Sequence, residues 1–225
     1  MHKLALQSFG SGTGSGDESS LFDNISDDIL EKGYSVQHNA LPPALASLLW
    51  EHLQAMPTYK FRDAGIGRER DQAVNKFVRT DEICWITGNS VAGSTWIDWS
   101  ASLQQHLNRR LLLGLFSFES HFSHYGEGDF YKTHRDAFKG ESNRVLSLVT
   151  YLNPNWQFGD GGELVIYTDD NGASSVRVNP IFGTLVLFLS EDFPHEVLVS
   201  KNDRYSIAGW FRLNTSSTER VDPPV

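Results

Sequence analysis

Thr184-Leu185-Val186-Leu187-Phe188-Leu189, with Pro194-His195 just beyond it, is the most apolar strand-like run in the C-terminal half of this chain. A short apolar run of this kind reads as a buried strand, and a histidine at its mouth can meet a side chain from another strand. Working outward, five more runs rich in β-branched and aromatic residues are separated by Gly, Asn, Asp and Pro. They are Leu115-His124, Arg144-Leu152, Glu163-Thr168, Ser175-Val178 and Tyr205-Leu213. Asn171-Gly172 supplies a hairpin turn between the third and fourth. Short strands with frequent turn signals are the pattern of jelly rolls and other all-β cores, and no internal repeat interrupts it.

Upstream the periodicity is helical. Ser26 precedes Asp27-Asp28-Ile29-Leu30-Glu31, an N-cap with an acidic first turn, and Gly33 marks a stop before a strand starting at Tyr34-Ser35-Val36. Pro42-Pro43 opens a second helix carrying Leu45, Leu48, Leu49 and Leu53 on one face, and Trp96 to Leu113 carries a third. Phe61 to Phe77 is long for a connection and reads either as a lid or as an ordinary surface loop. Gly10 to Ser20 is almost entirely Gly, Ser, Thr, Asp and Glu, which cannot bury enough apolar surface to offset its ordering entropy. The expected organisation is a flexible leader over 1–20, one domain over 21–214 and a C-terminal tail over 215–225.

With 19 Lys and Arg against 28 Asp and Glu, the net charge is -9, and no basic stripe exists to track phosphates, which disfavours a nucleic-acid partner. Cys84 is the single cysteine, so no internal disulfide forms, and a cytoplasmic location is expected. The apolar run in Met1-His2-Lys3-Leu4-Ala5-Leu6 is too short for a signal peptide, and no stretch is long enough to span a bilayer. No membrane partner is expected, and the composition is compatible with a monomer or a dimer.

Chemistry concentrates in His134-Arg135-Asp136, where an extended backbone points an imidazole and a carboxylate to the same side. Two histidines and one carboxylate on one face of an octahedron hold iron(II) in oxygenases and leave three positions open. His195 is the candidate third ligand. Arg204 leads directly into the strand-like Tyr205-Phe211, where a guanidinium is costly to bury unless an anion meets it. A dicarboxylic co-substrate would supply that anion through a bidentate pair. The other reading is an arginine at the rim or one paired with an internal acid. His121 and His124 are three apart in a strand and point to opposite faces, so they do not make a natural ligand pair.

These residues form an ordered series. It runs Tyr125-Gly-Glu-Gly128-Asp-Phe-Tyr131-Lys-Thr-His134-Arg-Asp136, then Arg144, Tyr151-Leu152-Asn153, Gly161-Gly162-Glu163-Leu164, Pro194-His195-Glu196-Val197 and Arg204. Together with Arg79-Thr-Asp81-Glu-Ile-Cys-Trp85-Ile86, it resembles the iron- and 2-oxoglutarate-dependent prolyl hydroxylases related to the hypoxia-sensing enzymes, over about Leu21 to Leu213.

The resemblance implies a double-stranded β-helix (jelly-roll, cupin-like) core in a mainly β fold with flanking helices. It also implies Fe(II), 2-oxoglutarate and O2, with ascorbate in support. By the same resemblance His134, Asp136 and His195 are the metal ligands and Arg204 binds the 5-carboxylate of 2-oxoglutarate, joined by Tyr151. Tyr125, Ser206 and His121 surround the co-substrate, and Tyr131, Leu164, Val197 and Trp210 line the substrate pocket. His121 departs from the pattern, standing where the hypoxia-sensing members have an apolar residue. The expected reaction is hydroxylation of a prolyl residue in a protein, some bacterial members acting on a translation elongation factor, with release of succinate and CO2.

Four other readings compete. A hydroxylase of a free amino acid or other small molecule would use the same iron and Arg204. A nucleic-acid demethylase is disfavoured by the acidic charge, and a zinc hydrolase leaves Arg204 and Tyr151 unexplained. An inactive jelly-roll binding module would have no use for the complete ligand set.

Overall fold

The computed structural model describes residues 15–65, 77–137, 143–169 and 171–214. The leader up to residue 14, the tail 215–225 and most of the expected lid, residues 66–76, lie outside these. The described elements are helices α1 (Ser15–Lys32), α2 (Pro43–Ala55) and α3 (Val91–Leu111), and strands β1 (Tyr34–Gln37), β2 (Arg62–Asp63), β3 (Glu82–Trp85), β4 (Ser117–Tyr125), β5 (Tyr131–His134), β6 (Arg144–Tyr151), β7 (Leu164–Tyr167), β8 (Ser175–Val178), β9 (Leu185–Leu189), β10 (His195–Val197) and β11 (Arg204–Arg212).

The strands form two antiparallel sheets, a seven-stranded one in the order β1-β9-β6-β11-β4-β3-β2 and a four-stranded one in the order β5-β10-β7-β8. Alternation along the central strands explains why there are two cores. Leu146 and Leu148 of β6, Leu185 and Leu187 of β9, and Ile207 and Phe211 of β11 turn to the helices and pack with Leu49, Trp96, Leu103 and Leu107. Tyr151, Val186 and Phe188, from the opposite face, meet Leu164, Ile166 and Val197 of the smaller sheet. The result is the expected jelly roll, an open sandwich of two sheets without a closed barrel.

The first helix differs from expectation. It begins at Ser15, so Ser15–Ser20 is helical and not part of a flexible leader, and Ser26 lies mid-helix, donating its hydroxyl to the Phe22 carbonyl at 2.8 Å. Phe22, Ile25 and Ile29 share one buried face, and Phe22 packs edge-on to Trp99 of α3. That tertiary contact outweighs the weak helix propensity of the polar half. The helix stops at Gly33, as its φ of +79° allows. Helix α3 starts five residues earlier than the pattern from Trp96 suggested, because Ser90 caps it by accepting from the Gly93 amide at 3.0 Å. Among the described residues no helix is long and apolar enough to cross a membrane.

Candidate active site

Between the sheets lies a cavity of about 660 Å³. At one end the antiparallel pairing of β5 and β10 places His134 directly opposite His195, and Asp136 follows β5 by two residues. One ligand atom from each of the three lies within 4.8 Å of the others. Among the described residues this is the only group of three such side chains. The Asp136 carboxylate is shared, with Oδ1 3.6 Å from His134 Nε2 and Oδ2 3.6 Å from His195 Nε2.

The chemistry of this set fits a divalent metal. His134 Nδ1 is 2.8 Å from the Lys132 carbonyl and His195 Nδ1 is 3.1 Å from the Phe193 carbonyl, so each ring donates through Nδ1 and presents a bare Nε2. Burial pushes the His195 imidazole down to about 4, which keeps it neutral, as a metal ligand must be. Burial alone would raise the Asp136 carboxyl, but His195, His134 and Ser147 together hold it well below the usual carboxylate range.

The other end holds a buried cation. Arg204, 1% exposed, opens β11. Its Nε donates to the Gly162 carbonyl at 2.8 Å and one terminal nitrogen to Ser206 Oγ at 3.1 Å. The guanidinium lies 4.8 Å from the Tyr125 ring centroid and 5.1 Å from that of Tyr151. No carboxylate among the described residues pairs with it. The Tyr151 hydroxyl is buried beside the Arg204 guanidinium with no acceptor for its proton among the described residues, and burial pushes it up to about 12, so it stays a donor. A buried cation and a buried hydroxyl, both wanting an acceptor, are what a bound carboxylate would satisfy.

Of the residues expected at the site, His121, Tyr125, Tyr131, His134, Asp136, Leu164, His195, Val197, Arg204, Ser206 and Trp210 line this one cavity, and Tyr151 lies behind its wall, fully buried. Tyr131 stacks flat on His134, with ring centroids 3.6 Å apart. His121 sits between Trp85 and Trp210, at 5.2 and 5.5 Å, and burial followed by the nearby Arg79 charge pushes it down to about 4. His124 faces away, bonded to Asp203 at 2.8 Å, so the two are not a ligand pair.

Sequence reasoning missed three supports. Arg79 forms a two-point ion pair with the buried Asp81, at 2.7 and 2.6 Å, and covers the outer face of Tyr131 at 4.4 Å. Ser147 donates to Asp136 at 2.6 Å. Gly162 entered only as one residue of the ordered series, with no link to Arg204. With φ +63°, a Cβ there would lie 2.9 Å from Arg204 Cδ, so the glycine makes room for the arginine.

Comparison with known proteins agrees with this geometry. The model of the 2OG-Fe(II) oxygenase superfamily matches residues 120–212, from β4 to the end of β11. Prolyl hydroxylase EGLN3 of Homo sapiens is 29% identical over 195 residues, 80% of this chain and 79% of the relative. The crystal structure of a Pseudomonas putida prolyl-4-hydroxylase superposes with a TM-score of 0.76 at 34% identity, covering 86% of this chain and 98% of that one. A Trichoplax adhaerens prolyl hydroxylase, solved with a hypoxia inducible factor oxygen degradation domain peptide fragment, gives 0.73 at 26% identity over 87% and 90% of the two chains. The chain therefore belongs to the 2OG-Fe(II) oxygenase superfamily, as a 2-oxoglutarate-dependent dioxygenase of the prolyl hydroxylase family.

Proposed function

We propose that this enzyme hydroxylates a prolyl residue within a protein, with His134, Asp136 and His195 holding iron(II) and Arg204 and Tyr151 gripping the far carboxylate of 2-oxoglutarate. The observation that carries this reading is the pairing, in one cavity, of a two-histidine, one-carboxylate cluster with a buried arginine that no carboxylate among the described residues meets. Iron(II) with 2-oxoglutarate and O2 supplies the oxidising power to convert a C–H bond to C–OH, releasing succinate and CO2. The chain's own contribution is positional. Arg204 and Tyr151 fix one end of the co-substrate, Ser206, Tyr125 and His121 surround it, and the bare Nε2 atoms with Asp136 fix the other end. Tyr131, Leu164, Val197 and Trp210 form the wall against which a prolyl ring would rest.

A protein substrate is supported by the Trichoplax relative, which was solved with a peptide fragment. A translation elongation factor is the first candidate to try, and the cytoplasm, where Cys84 stays reduced, is the proposed location. The test incubates the enzyme, iron(II) and 2-oxoglutarate with prolyl peptides, intact elongation factor or free proline. Gain of one oxygen atom on a prolyl residue, matched by succinate, is expected for a protein or peptide. Hydroxylation of free proline alone would overturn the protein assignment and favour a small-molecule hydroxylase.

A further inference from the structure

His134 and His195 are each fixed twice, by strand pairing and by an Nδ1 contact to a carbonyl. Asp136 has neither support. It lies beyond the last residue of β5, outside any strand, so the sheet does not set the rotation of its carboxylate. What reaches it is a hydroxyl from an inner strand: Ser147 stands on β6, paired with β9 on one side and β11 on the other. Ser147 Oγ is 2.6 Å from Asp136 Oδ2 and 2.9 Å from Ser190 Oγ, and both serines are buried.

The direction of these bonds follows from proton counting. An ionised carboxylate only accepts, so the single Ser147 proton goes to Asp136. Ser147 must then accept from Ser190, whose hydroxyl donates. The resulting chain, Ser190 to Ser147 to carboxylate, polarises each bond in turn. Between Leu146 and Leu148, both fully buried, a hydroxyl without such a use would be a cost.

We propose that Ser147 and Ser190 are positioning residues, an ordered hydroxyl pair that locks the rotation of the Asp136 carboxylate and turns it into a one-oxygen metal ligand. A carboxylate free to rotate can chelate through both oxygens, and the second would take a coordination position that 2-oxoglutarate or O2 needs. The inference rests on Asp136 being a metal ligand, and the test separates the two claims.

Mn(II) binding to the metal-free protein, followed by electron paramagnetic resonance, is compared for Ser147→Thr, Ser147→Val, Ser147→Ala, Ser190→Ala and Asp136→Ala, with folding checked by circular dichroism. Thr and Val differ by a hydroxyl against a methyl. Thr should therefore bind Mn(II) like the wild type, while Val and Ala lose roughly tenfold or more, the usual effect of removing such a support. Ser190→Ala should show a smaller loss, and unchanged affinity there overturns the ordered pair even if the position-147 variants do not fold. Wild-type affinity in Val and Ala, or equal loss in Thr and Val, overturns the role of Ser147. Wild-type affinity in Asp136→Ala overturns the metal assignment itself, and the hydroxyl pair with it.

Discussion

The two ends of the cavity are held by different parts of the fold. The metal donors stand at the margins of the four-stranded sheet, on β5 and β10, strands of four and three residues, with Asp136 beyond both. The proposed anion-binding groups stand on longer strands in the interior of the seven-stranded sheet, Tyr151 at the end of the eight-residue β6 and Arg204 at the start of the nine-residue β11. At the first end His134 and Asp136 remain partly accessible while His195 is buried, and at the second Arg204 and Tyr151 are both sealed. An open end lets metal, oxygen and substrate enter. A sealed end lets a single guanidinium discriminate a carboxylate without competition from water. Substitutions at the first end should therefore affect chemistry and leave the fold alone, whereas those at the second should change the energy of the empty protein as well.

The largest effect is expected at the open end. His134→Ala or Asp136→Ala should abolish substrate-dependent succinate formation while circular dichroism and melting temperature stay near wild type, since neither side chain belongs to an apolar core. Full activity in either variant would break the comparison at its first step. At the sealed end, Arg204→Met should weaken 2-oxoglutarate binding by about 4 kcal/mol, roughly a thousandfold, as expected when one partner of a buried charge pair is removed. Its melting temperature without ligand should hold or rise, because an unpaired buried cation is exchanged for an apolar side chain. Calorimetry with 2-oxoglutarate and thermal melts of the same sample check both signs.

What was legible in the sequence follows the same division. Strands β6, β9 and β11 were visible because eight, five and nine residues suffice to show apolar content, and burial on both faces made them continuous runs. Arg204 was legible because a cation at the start of such a run demands a reason. The strands β5 and β10 were not, because Tyr131-Lys-Thr-His134 and His195-Glu-Val197 are short and mostly polar and make no apolar run; only the histidines they carry betrayed them. Arg79 and Asp81 were legible only as part of a segment resembling the family, since their role at the site depends on Tyr131, far along the chain. Ser147 was lost inside an apolar strand, because a serine is equally at home anywhere until its partner is known. The start of α1 was misplaced because composition around Ser15 favours disorder, and the contacts that hold the helix, Phe22 on Trp99 and His106 and Asp27 with Arg110, come from α3, far along the chain.

Acid provides a third way to distinguish the regions. Burial pushes His121, on the cavity wall, down to about 4 from an ordinary value of 6.5. Between those values the unfolded chain binds a proton that the folded protein refuses, so stability falls as pH drops from 6.5 towards 4 and is unaffected above. The contribution is on the order of 3 kcal/mol for a shift of this size. His195, also near 4, adds a parallel slope in the metal-free protein. Tyr151, pushed up to about 12, stays uncharged throughout this window. Urea titrations of metal-free protein at a series of pH values should show a shallower slope for His121→Met than for wild type, and identical slopes would refute the assignment of the slope to His121.

The smallest effect tests the sealed end alone. Tyr151→Phe removes one hydroxyl that, in the absence of ligand, is buried beside Arg204 with no acceptor for its proton among the described residues. Losing it relieves a desolvation cost, so the empty protein should melt slightly higher, by an amount equivalent to about 1 kcal/mol. With 2-oxoglutarate bound, the same substitution removes a hydrogen bond to a charged acceptor, worth about 2 kcal/mol, roughly thirtyfold in affinity. The two signs are opposite, which a packing defect cannot produce: a cavity at position 151 would lower stability in both states. A variant less stable without ligand and unchanged in 2-oxoglutarate affinity would remove Tyr151 from the anion site and leave Arg204 to hold the carboxylate without it.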